Sequence, residues 1–289
     1  MTHLITADCG NSRAHIALID LDRLPDPGSA PDPAAPWPGA DAAIGPVFGV
    51  TNRGLRDALD DAWMTLPDAD RQREVAAVVI GSVNPLGDEA VADWAATSEA
   101  FAARPRRPTA FRLRRDLPIP IANLTRRPDQ VGQDRLLNAL ACRFRYPGRG
   151  AIVVDFGSAI TFDIVSPAGE YLGGVIAPGL SLALNALHER TALLPLVRPR
   201  GGERPPVLGT DTESAILSGV YHGFPGLVLG ILERLSAEVF ASSPPLVIAT
   251  GGDAHTLVDE LPAGTFHATL PEITHEGIAL SWLAAGRPV

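Results

Sequence analysis

The stretch that decides the fold is VGQDRLLNALACRFRYPGRGAIVVDFGSAITFDIVSPAGEYLGGVIAPG, which runs from Val131 to Gly179. Its first third predicts an amphipathic helix, because apolar residues recur at helical spacing after Asp134 and Arg135. The continuous apolar run at residues 151–154 then predicts a buried strand. An acid therefore lies near the start of the helix, and a strand follows that helix.

An acidic turn joins this strand to the next one. The sequence Asp155-Phe156-Gly157-Ser158 follows the apolar run, and residues 160–165 return as a second strand, so the segment predicts a hairpin. The backbone N–H groups of a turn rich in small residues can cradle phosphate oxygens, and the carboxylate can hold a cation. The turn is therefore a candidate phosphate site.

A second hairpin with an acidic turn lies at the start of the chain. Residues 4–7 lead into the turn DCGNS at residues 8–12, and residues 14–19 return as a strand. Two copies of one device imply two related halves. The connection rich in proline and arginine before residue 129 predicts domains 1–128 and 129–289, and 289 residues are enough for two cores.

Charge and composition exclude several classes of protein. All 24 basic residues are arginine, so neither the lysine of a P-loop nor the strand lysine of a protein kinase is present. The net charge of −9 argues against a nucleic-acid partner, which needs a basic surface. The two cysteines have no partner at metal-binding spacing and are expected to be free and buried in a reducing compartment.

The hydropathy pattern predicts a cytoplasmic protein without a membrane partner. No apolar run reaches the roughly 18 residues that a membrane span needs, and the N-terminus lacks a secretory pattern. Residues 22–46 are rich in proline, alanine and aspartate and predict an exposed insertion. The basic run between residues 104 and 115 predicts a solvated face, with an anionic ligand or a subunit contact as the alternatives.

Periodicity gives the remaining elements. The apolar runs at 75–80 and 246–249 predict buried strands. The sequence TGGDA at residues 250–254 predicts a glycine turn that opens a helix and lets a nucleotide approach the backbone. Helices are predicted at residues 54–66, 88–103, 180–194, 213–222 and 227–240, with a last, amphipathic helix at 278–285.

Six motifs in this order resemble the type III pantothenate kinase family. They are DCGNS (8–12), VGQDR (131–135), DFGSAITFD (155–163), YLGGVIAPG (171–179), LGTDT (208–212) and TGGDA (250–254). The resemblance implies an α/β fold of two ribonuclease-H-like domains with mixed sheets flanked by helices, as in actin-like ATPases. It also implies ATP-dependent phosphorylation of pantothenate, the first step of coenzyme A synthesis, by a homodimer.

The resemblance assigns the catalytic proton acceptor to Asp134. A carboxylate at a helix start is favoured in its ionised form, and it can accept the proton of a hydroxyl that attacks phosphorus. An acid that only stabilises the first turn is the alternative. The acceptor-binding residues that the resemblance implies are Gly132, Gln133, Asp134, Arg135, Thr212 and Thr125.

The ATP side follows from the two acidic turns. By resemblance, Asp8 lies near Mg²⁺ and Asp155 holds a monovalent cation, typically potassium or ammonium. Hard cations prefer such oxygen ligands, although both acids could instead cap their own turns. The implied ATP-binding residues are Asp8, Cys9, Gly10, Asn11, Ser12, Arg13, Ala14, His15 and Ser158.

Departures from the family pattern concern the acceptor. Thr125 stands where the family has a tyrosine, Gln133 where it has an alanine, and Asp211 where it has an asparagine; Ser158 replaces a threonine. Two further functions therefore stay open. One is a regulatory protein like the Bvg accessory factor of the same family, and the other is a kinase for a different small hydroxylated acid.

Overall fold

The structure is a computed structural model that describes residues 2–11, 13–24, 43–51, 54–102, 104–198 and 204–288. The chain forms two compact units. The first comprises residues 1–148, 167–172 and 272–289, and the second comprises residues 149–166 and 173–271. The division at residue 128 groups the chain differently and stays a prediction.

The strands and helices are numbered in chain order. The strands are β1 (Thr2–Cys9), β2 (Arg13–Asp20), β3 (Ile44–Thr51), β4 (Glu74–Ser82), β5 (Thr109–Arg112), β6 (Ala151–Phe156), β7 (Ala159–Val165), β8 (Tyr171–Pro178), β9 (Leu246–Thr250) and β10 (Ala268–Thr269). The helices are α1 (Leu55–Thr65), α2 (Asp68–Arg71), α3 (Pro85–Thr97), α4 (Gln133–Arg145), α5 (Leu180–Glu189), α6 (Thr212–Val239), α7 (Ala254–Leu257) and α8 (Ile273–Ala284).

The two sheets have the same strand order. The first is β3-β2-β1-β4-β5, with β1 antiparallel to β2 and parallel to β4. The second is β10-β9-β6-β7-β8, with β6 antiparallel to β7 and parallel to β9. Strands β6 and β1 therefore hold equivalent positions. The predicted class, an α/β fold of two related halves with mixed sheets flanked by helices, is confirmed.

Both faces of the first sheet are covered. On one face Trp63, Trp94 and Phe101 pack edge to face, with ring centroids 5.0 to 5.9 Å apart. On the other face Leu137 of α4 and Ile278 of α8 pack against β1 and β4. Burial on both faces explains why β4 is apolar without alternation.

Helix α8 corrects one expectation. It was predicted as an amphipathic helix, but it begins at Ile273 and is buried on every side through Leu283. The reason is that α8 packs between α4 and the first sheet. Its charged Glu276 is accommodated by Arg145, whose Nε donates to Glu276 Oε2 at 2.6 Å. A buried, bidentate ion pair with Arg145 therefore stabilises Glu276, which solvent would stabilise on an amphipathic helix.

Helix α6 corrects a second expectation. The two helices predicted at 213–222 and 227–240 form one helix with Pro225 inside it. Pro225 lies on the buried face with Val220, Val228 and Leu232, so packing holds the helix together although the proline removes one backbone donor. By length and composition α6 could cross a membrane, but core helices of soluble proteins pass the same test, and one such helix is weak evidence for a span.

Strands β3, β5, β8 and β10 were not predicted, and the first two of them bear on other expectations. Strand β3 begins at Ile44, inside the expected insertion, and most of that insertion, residues 25–42, lies outside the described residues. Strand β5 lies inside the basic run, where the arginines bind locally instead of facing only solvent. Arg104 donates to the carbonyls of Arg73 and Arg71 at 2.6 and 2.7 Å, and Arg112 pairs with Asp88 at 2.7 Å.

Candidate functional site

The first acidic turn lies at the end of β1. Asp8 is half-buried and is paired across the sheet with His15 on β2 and with Gly81 on β4. The Gly10 N–H donates to the Arg13 carbonyl at 3.0 Å and closes the turn. Of the other predicted ATP-binding residues in the turn, Cys9 and Ala14 are buried, Asn11 and Arg13 are exposed, and Ser12 lies outside the described residues.

A second loop braces this turn. The Val83 N–H donates to the Cys9 carbonyl at 3.0 Å, and Asn84 Nδ2 donates to the Gly10 carbonyl at 3.4 Å. Asn84 also caps α3, because its Oδ1 accepts from the Leu86 N–H at 3.1 Å. Sequence analysis gave Asn84 no role; the asparagine-proline pair at the end of a strand is the signal that could have found this cap.

Two side chains at this turn, Cys9 and His15, have shifted pKa values. Burial, followed by the nearby charges of Asp8 and Asp88, raises the pKa of the Cys9 thiol far above its usual range. Cys9 is therefore an inert, protonated side chain. Burial, assisted by Arg13, lowers the pKa of His15, so His15 is neutral at physiological pH.

Asp134 lies in the first turn of α4, in the same unit as Asp8. The preceding Gly132 is the N-cap, and a Cβ there would lie 2.3 Å from Asp134 Oδ1. Only glycine leaves room for the carboxylate in this position. The Arg135 N–H donates to the same oxygen at 2.9 Å. Burial raises the pKa of Asp134, and the Arg135 N–H and the charges of Arg135 and Arg114 oppose that rise.

Helix α4 is fixed to the sheet beside the first acidic turn. Gly81, the register partner of Asp8, faces Leu137, because a Cβ at Gly81 would lie 2.9 Å from Leu137 Cδ1. Leu137 follows Asp134 by one helical turn. The strand end that carries Asp8 and the helix start that carries Asp134 therefore belong to one rigid packing arrangement.

Two other predicted acceptor residues, Arg135 and Thr125, lie in the same unit as the start of α4, whereas Thr212 belongs to the second unit. The Arg135 guanidinium lies over the ring of the buried Tyr171, 5.9 Å from its centroid. The Thr125 N–H and hydroxyl both donate to Asn123 Oδ1, at 3.1 and 2.7 Å. Asn123 Nδ2 in turn donates to the Pro128 carbonyl at 3.3 Å. Tyr171 and Asn123 were not predicted as site residues, and only the contacts of the fold identify them.

Gln133, the first residue of α4, carries a side-chain amide. Its Oε1 is buried and accepts no hydrogen bond from any described residue. An alanine, the family's usual residue in the resemblance, would carry no such group. Gln133 therefore places a buried polar group in the first turn of α4, where an alanine would place none.

The second acidic turn is enclosed by glycines of its own unit. A Cβ at Gly251, whose φ is +94°, would lie 2.3 Å from Asp155 Oδ1. A Cβ at Gly179 would lie 2.3 Å from the Gly157 carbonyl oxygen and 2.5 Å from that of Ser158. The motifs GGVIAPG and TGGDA thus meet at the DFGS turn. Asp155 is half-buried there, and Ser158 is exposed.

Thr212 and Asp211 begin α6. Asp211 is the N-cap: its Oδ1 accepts from the Ser214 N–H at 2.9 Å, and the Asp211 N–H donates to Ser214 Oγ at 3.1 Å. The hydrogen bonds from Ser214 lower the pKa of the Asp211 carboxyl, which is fully exposed. Because asparagine caps a helix equally well, the departure at this position is accounted for by capping.

The TGGDA turn opens a helix, as predicted, and its approach to a nucleotide stays a prediction. The helix that it opens, α7, has only four residues and is followed by a 3₁₀ turn at Val258–Glu260. A single turn has almost no macrodipole with which to attract an anion. Gly251 packs closely on Asp155, whereas nothing lies within 4 Å of a Cβ at Gly252.

No group of three or more His, Cys, Asp or Glu side chains in the described part of the chain could hold a metal ion by itself. Asp8 and Asp155 are half-buried, single carboxylates beside turns rich in backbone groups. That donor set suits a cation whose other ligands are phosphate oxygens, carbonyls and water.

Comparison with known proteins gives one consistent result. The family model for type III pantothenate kinase matches residues 4–234. A type III pantothenate kinase of Acidiphilium cryptum is 46% identical over 163 residues, which are 56% of this chain and 58% of that protein. One of Solibacter usitatus is 35% identical over 243 residues, which are 80% of this chain and 85% of that protein.

A solved structure supports the fold. A Campylobacter jejuni protein described as a conserved Baf family transcriptional activator superposes with a TM-score of 0.53 at 18% identity. The superposition covers 98% of this chain and 100% of that one. At this identity the likeness supports the fold alone.

Proposed function

Because the chain belongs to the type III pantothenate kinase family, we propose that it transfers the γ-phosphoryl group of ATP to pantothenate, giving 4′-phosphopantothenate for coenzyme A synthesis. The observation that carries the proposal is the Asp134 carboxylate. It lies in the first turn of α4, in a space that Gly132 leaves open, and burial raises its pKa. A buried, positioned carboxylate is what a hydroxyl acceptor needs as a base.

Asp134 would accept the proton of the pantothenate hydroxyl as its oxygen attacks phosphorus. General-base assistance of this kind is worth about 10²- to 10⁴-fold in rate. A base is more effective as its pKa approaches the working pH, so the raised pKa of Asp134 favours proton transfer. The charges of Arg135 and Arg114 oppose the rise and favour the ionised carboxylate.

Arg135 would orient the pantothenate carboxylate. A guanidinium can make two parallel hydrogen bonds to a carboxylate, which a lysine cannot do. The ring of Tyr171 lies under this guanidinium and restricts its direction. Thr125, Gln133 and Thr212 are the further residues proposed for acceptor binding.

The ATP phosphates would be held without lysine, which this chain lacks. The N–H groups of the turn at residues 8–15 and of the turn at Ser158 are the proposed phosphate contacts. Mg²⁺ on the phosphates would neutralise charge that develops in the transfer. Asp8 is the proposed protein ligand of Mg²⁺, and Asp155 is that of the monovalent cation.

A homodimer is the proposed assembly. Leu193, Val207 and Leu208 of the second unit are 91%, 76% and 78% exposed, and Ile176 on β8 is 64% exposed. Exposed apolar side chains mark an association surface where they form one contiguous patch. Leu208→Asp should shift the chain towards monomer in light scattering coupled to size exclusion; an unchanged mass would exclude this surface.

The test of the activity is a coupled ADP-release assay with pantothenate and a panel of small hydroxy acids. Turnover with pantothenate and none with the panel supports the proposal. Turnover with another hydroxy acid alone would make this chain a kinase for a different acceptor. ADP release that needs no acceptor, or no release at all, would remove the kinase assignment.

A further inference from the structure

Arg114, which has no assigned role, contacts the entry to α4. Its backbone is left-handed, with φ of 66°, and its N–H donates to the Leu117 carbonyl at 2.6 Å. Its guanidinium donates to the carbonyls of Pro128 at 3.0 Å and Asp129 at 3.4 Å. A non-glycine residue in this conformation is unusual and marks a position that the surroundings hold in place.

Those two carbonyls belong to the last turn before the catalytic helix. Residues Pro128–Gln130 form a 3₁₀ turn, and α4 begins at Gln133 directly after the N-cap Gly132. A glycine has no side chain with which to cap a helix, so the direction of entry must be set by groups outside the helix. Arg114 is such a group.

The charge of Arg114 acts on Asp134 as well. Two cations oppose the effect of burial on the pKa of Asp134: Arg135, from the same helix, and Arg114, from the segment after β5. The acid on the helix packed against α4, Glu276, is bound to Arg145. Arg114 thus combines two effects at one place, a hydrogen-bonded hold on the turn and a positive charge near the base.

Other arginines of the basic run contact segments away from the turn before α4. Arg104 donates to the carbonyls of Arg71 and Arg73, and Arg107 donates to that of Ser98, all in the segments around α2 and α3. Arg115 is 73% exposed and lies 3.8 Å from Asp116. Within the part of the basic run that is described, the contacts with residues 128–129 are those of Arg114.

We propose that Arg114 is a positioning residue for the phosphoryl transfer: it fixes the turn that leads into α4 and supplies a positive charge beside the Asp134 carboxylate. It does so without contact to the reacting atoms. The kinetic consequence rests on the proposed function, since it assumes that Asp134 is the base. The mechanical consequence, a firmly held turn before α4, does not depend on any activity.

Three variants test this. Arg114→Asn removes the guanidinium and keeps a residue that tolerates the left-handed backbone. Arg114→Lys keeps the charge and loses the planar fork. Arg115→Asn is the matched control, because it makes the same charge change one residue away. Steady-state kinetics with ATP and pantothenate and hydrogen–deuterium exchange over residues 128–136 are measured for all three and for the wild type.

Arg114→Asn should lower kcat about tenfold, since misplacing a catalytic group affects the chemical step, while KM for ATP stays within about twofold. Exchange over residues 128–136 should be faster. Arg114→Lys should recover part of kcat, and Arg115→Asn should behave like the wild type. If Arg114→Asn does not fold, the lysine variant carries the same comparison with a smaller loss.

Three results would overturn the proposal. The first is an unchanged kcat in Arg114→Asn, even with faster exchange. The second is a loss of kcat in Arg115→Asn as large as that in Arg114→Asn. The third is a rise in KM for ATP in Arg114→Asn with kcat unaffected. A wild-type chain without turnover would instead contradict the proposed function. In that case, unchanged exchange over residues 128–136 in Arg114→Asn would also show that Arg114 does not hold the turn in place.

Discussion

Asp134 is subject to opposing influences that set its strength as a base. Burial favours the neutral acid, and the Arg135 N–H and the charges of Arg135 and Arg114 favour the carboxylate. Burial is the largest of these, so the pKa is raised. Because only the carboxylate accepts a proton, activity should be present above this pKa and lost as the pH falls through it.

Asp134→Asn should lower kcat by about 10²-fold or more, because asparagine keeps the shape and cannot accept the proton. In the wild type the acid limb of the kcat profile should lie above the pKa of about 3.9 of a free aspartate. A pH series of kcat measures both, and thermal melts check that the variant folds. Near wild-type turnover in a folded variant would remove Asp134 from the mechanism.

Thr125 is proposed to affect a different quantity, the affinity for the acceptor. Its hydroxyl is already used by Asn123, so it contributes mainly size and shape to the region before α4. Thr125→Tyr should lower KM for pantothenate about three- to tenfold with little change in kcat, because a ring adds buried area that substrate and transition state share. Steady-state kinetics on the pure variant give both constants.

Two companion variants make the Thr125 result specific. Thr125→Val keeps the shape without the hydroxyl and should leave KM unchanged. Arg135→Lys should raise KM, because a lysine lacks the fork that grips a carboxylate. If Thr125→Tyr leaves KM unchanged or abolishes activity, the acceptor pocket is built differently and pantothenate loses support as the acceptor.

At the scale of elements, the sequence predicted what depends on local pattern. Both hairpins, helix α4 and strand β4 follow from periodicity and from acid-glycine turns, and they are confirmed. Strand β3 and helix α8 depend on partners far along the chain: β3 pairs with β2, and α8 is enclosed by α4 and the first sheet. Packing against distant segments decides whether such a segment forms a strand or a buried helix, and the local sequence pattern does not show this packing.

The same distinction applies to the candidate site. The motifs pointed to Asp134, Asp8 and Asp155, because chemistry requires those residue types in turns. Asn84 and Arg114 act through backbone carbonyls of distant segments, namely those of Gly10 and Pro128. A backbone carbonyl carries no sequence signal, so these two contacts emerge only from the folded chain, although the pair Asn84-Pro85 does signal a helix cap.

The contact between α4 and α8 gives an element-scale prediction. A Cβ at Gly277 would lie 2.3 Å from the Leu137 carbonyl oxygen, which belongs to the backbone and cannot turn away. Gly277→Ala should therefore separate the two helices and lower the free energy of unfolding by about 1–3 kcal/mol. Denaturant melts measure this change.

The control for Gly277 lies in α6. Nothing lies within 4 Å of a Cβ at the exposed Gly223. Gly223→Ala should therefore raise the free energy of unfolding by up to about 1 kcal/mol through helix propensity. If both alanines had the same effect, close packing of α8 on α4 would not be the cause.

At the scale of the whole molecule, one topology occurs twice with one acid in the same place. Asp8 is the penultimate residue of β1 and Asp155 is the penultimate residue of β6, and these strands hold equivalent positions in their sheets. The surroundings differ, since Asp8 is braced by the loop at Asn84 and Asp155 by Gly251. Equivalent acids in different surroundings can hold different cations.

The two acids therefore predict two separable metal requirements. Activity should need Mg²⁺ and rise with K⁺ or ammonium, and Asp155→Ala should lose the response to the monovalent ion before it loses ATP binding, because a hard cation depends on its oxygen ligands. Asp259→Ala, which removes the same charge from an exposed position in the same unit, is the control and should keep the response. Titrations of each salt, with rate and nucleotide affinity measured separately, distinguish the two effects. Because sodium is smaller and fits a potassium cage poorly, full activity of the wild type in a buffer whose only monovalent cation is sodium would contradict the role proposed for Asp155.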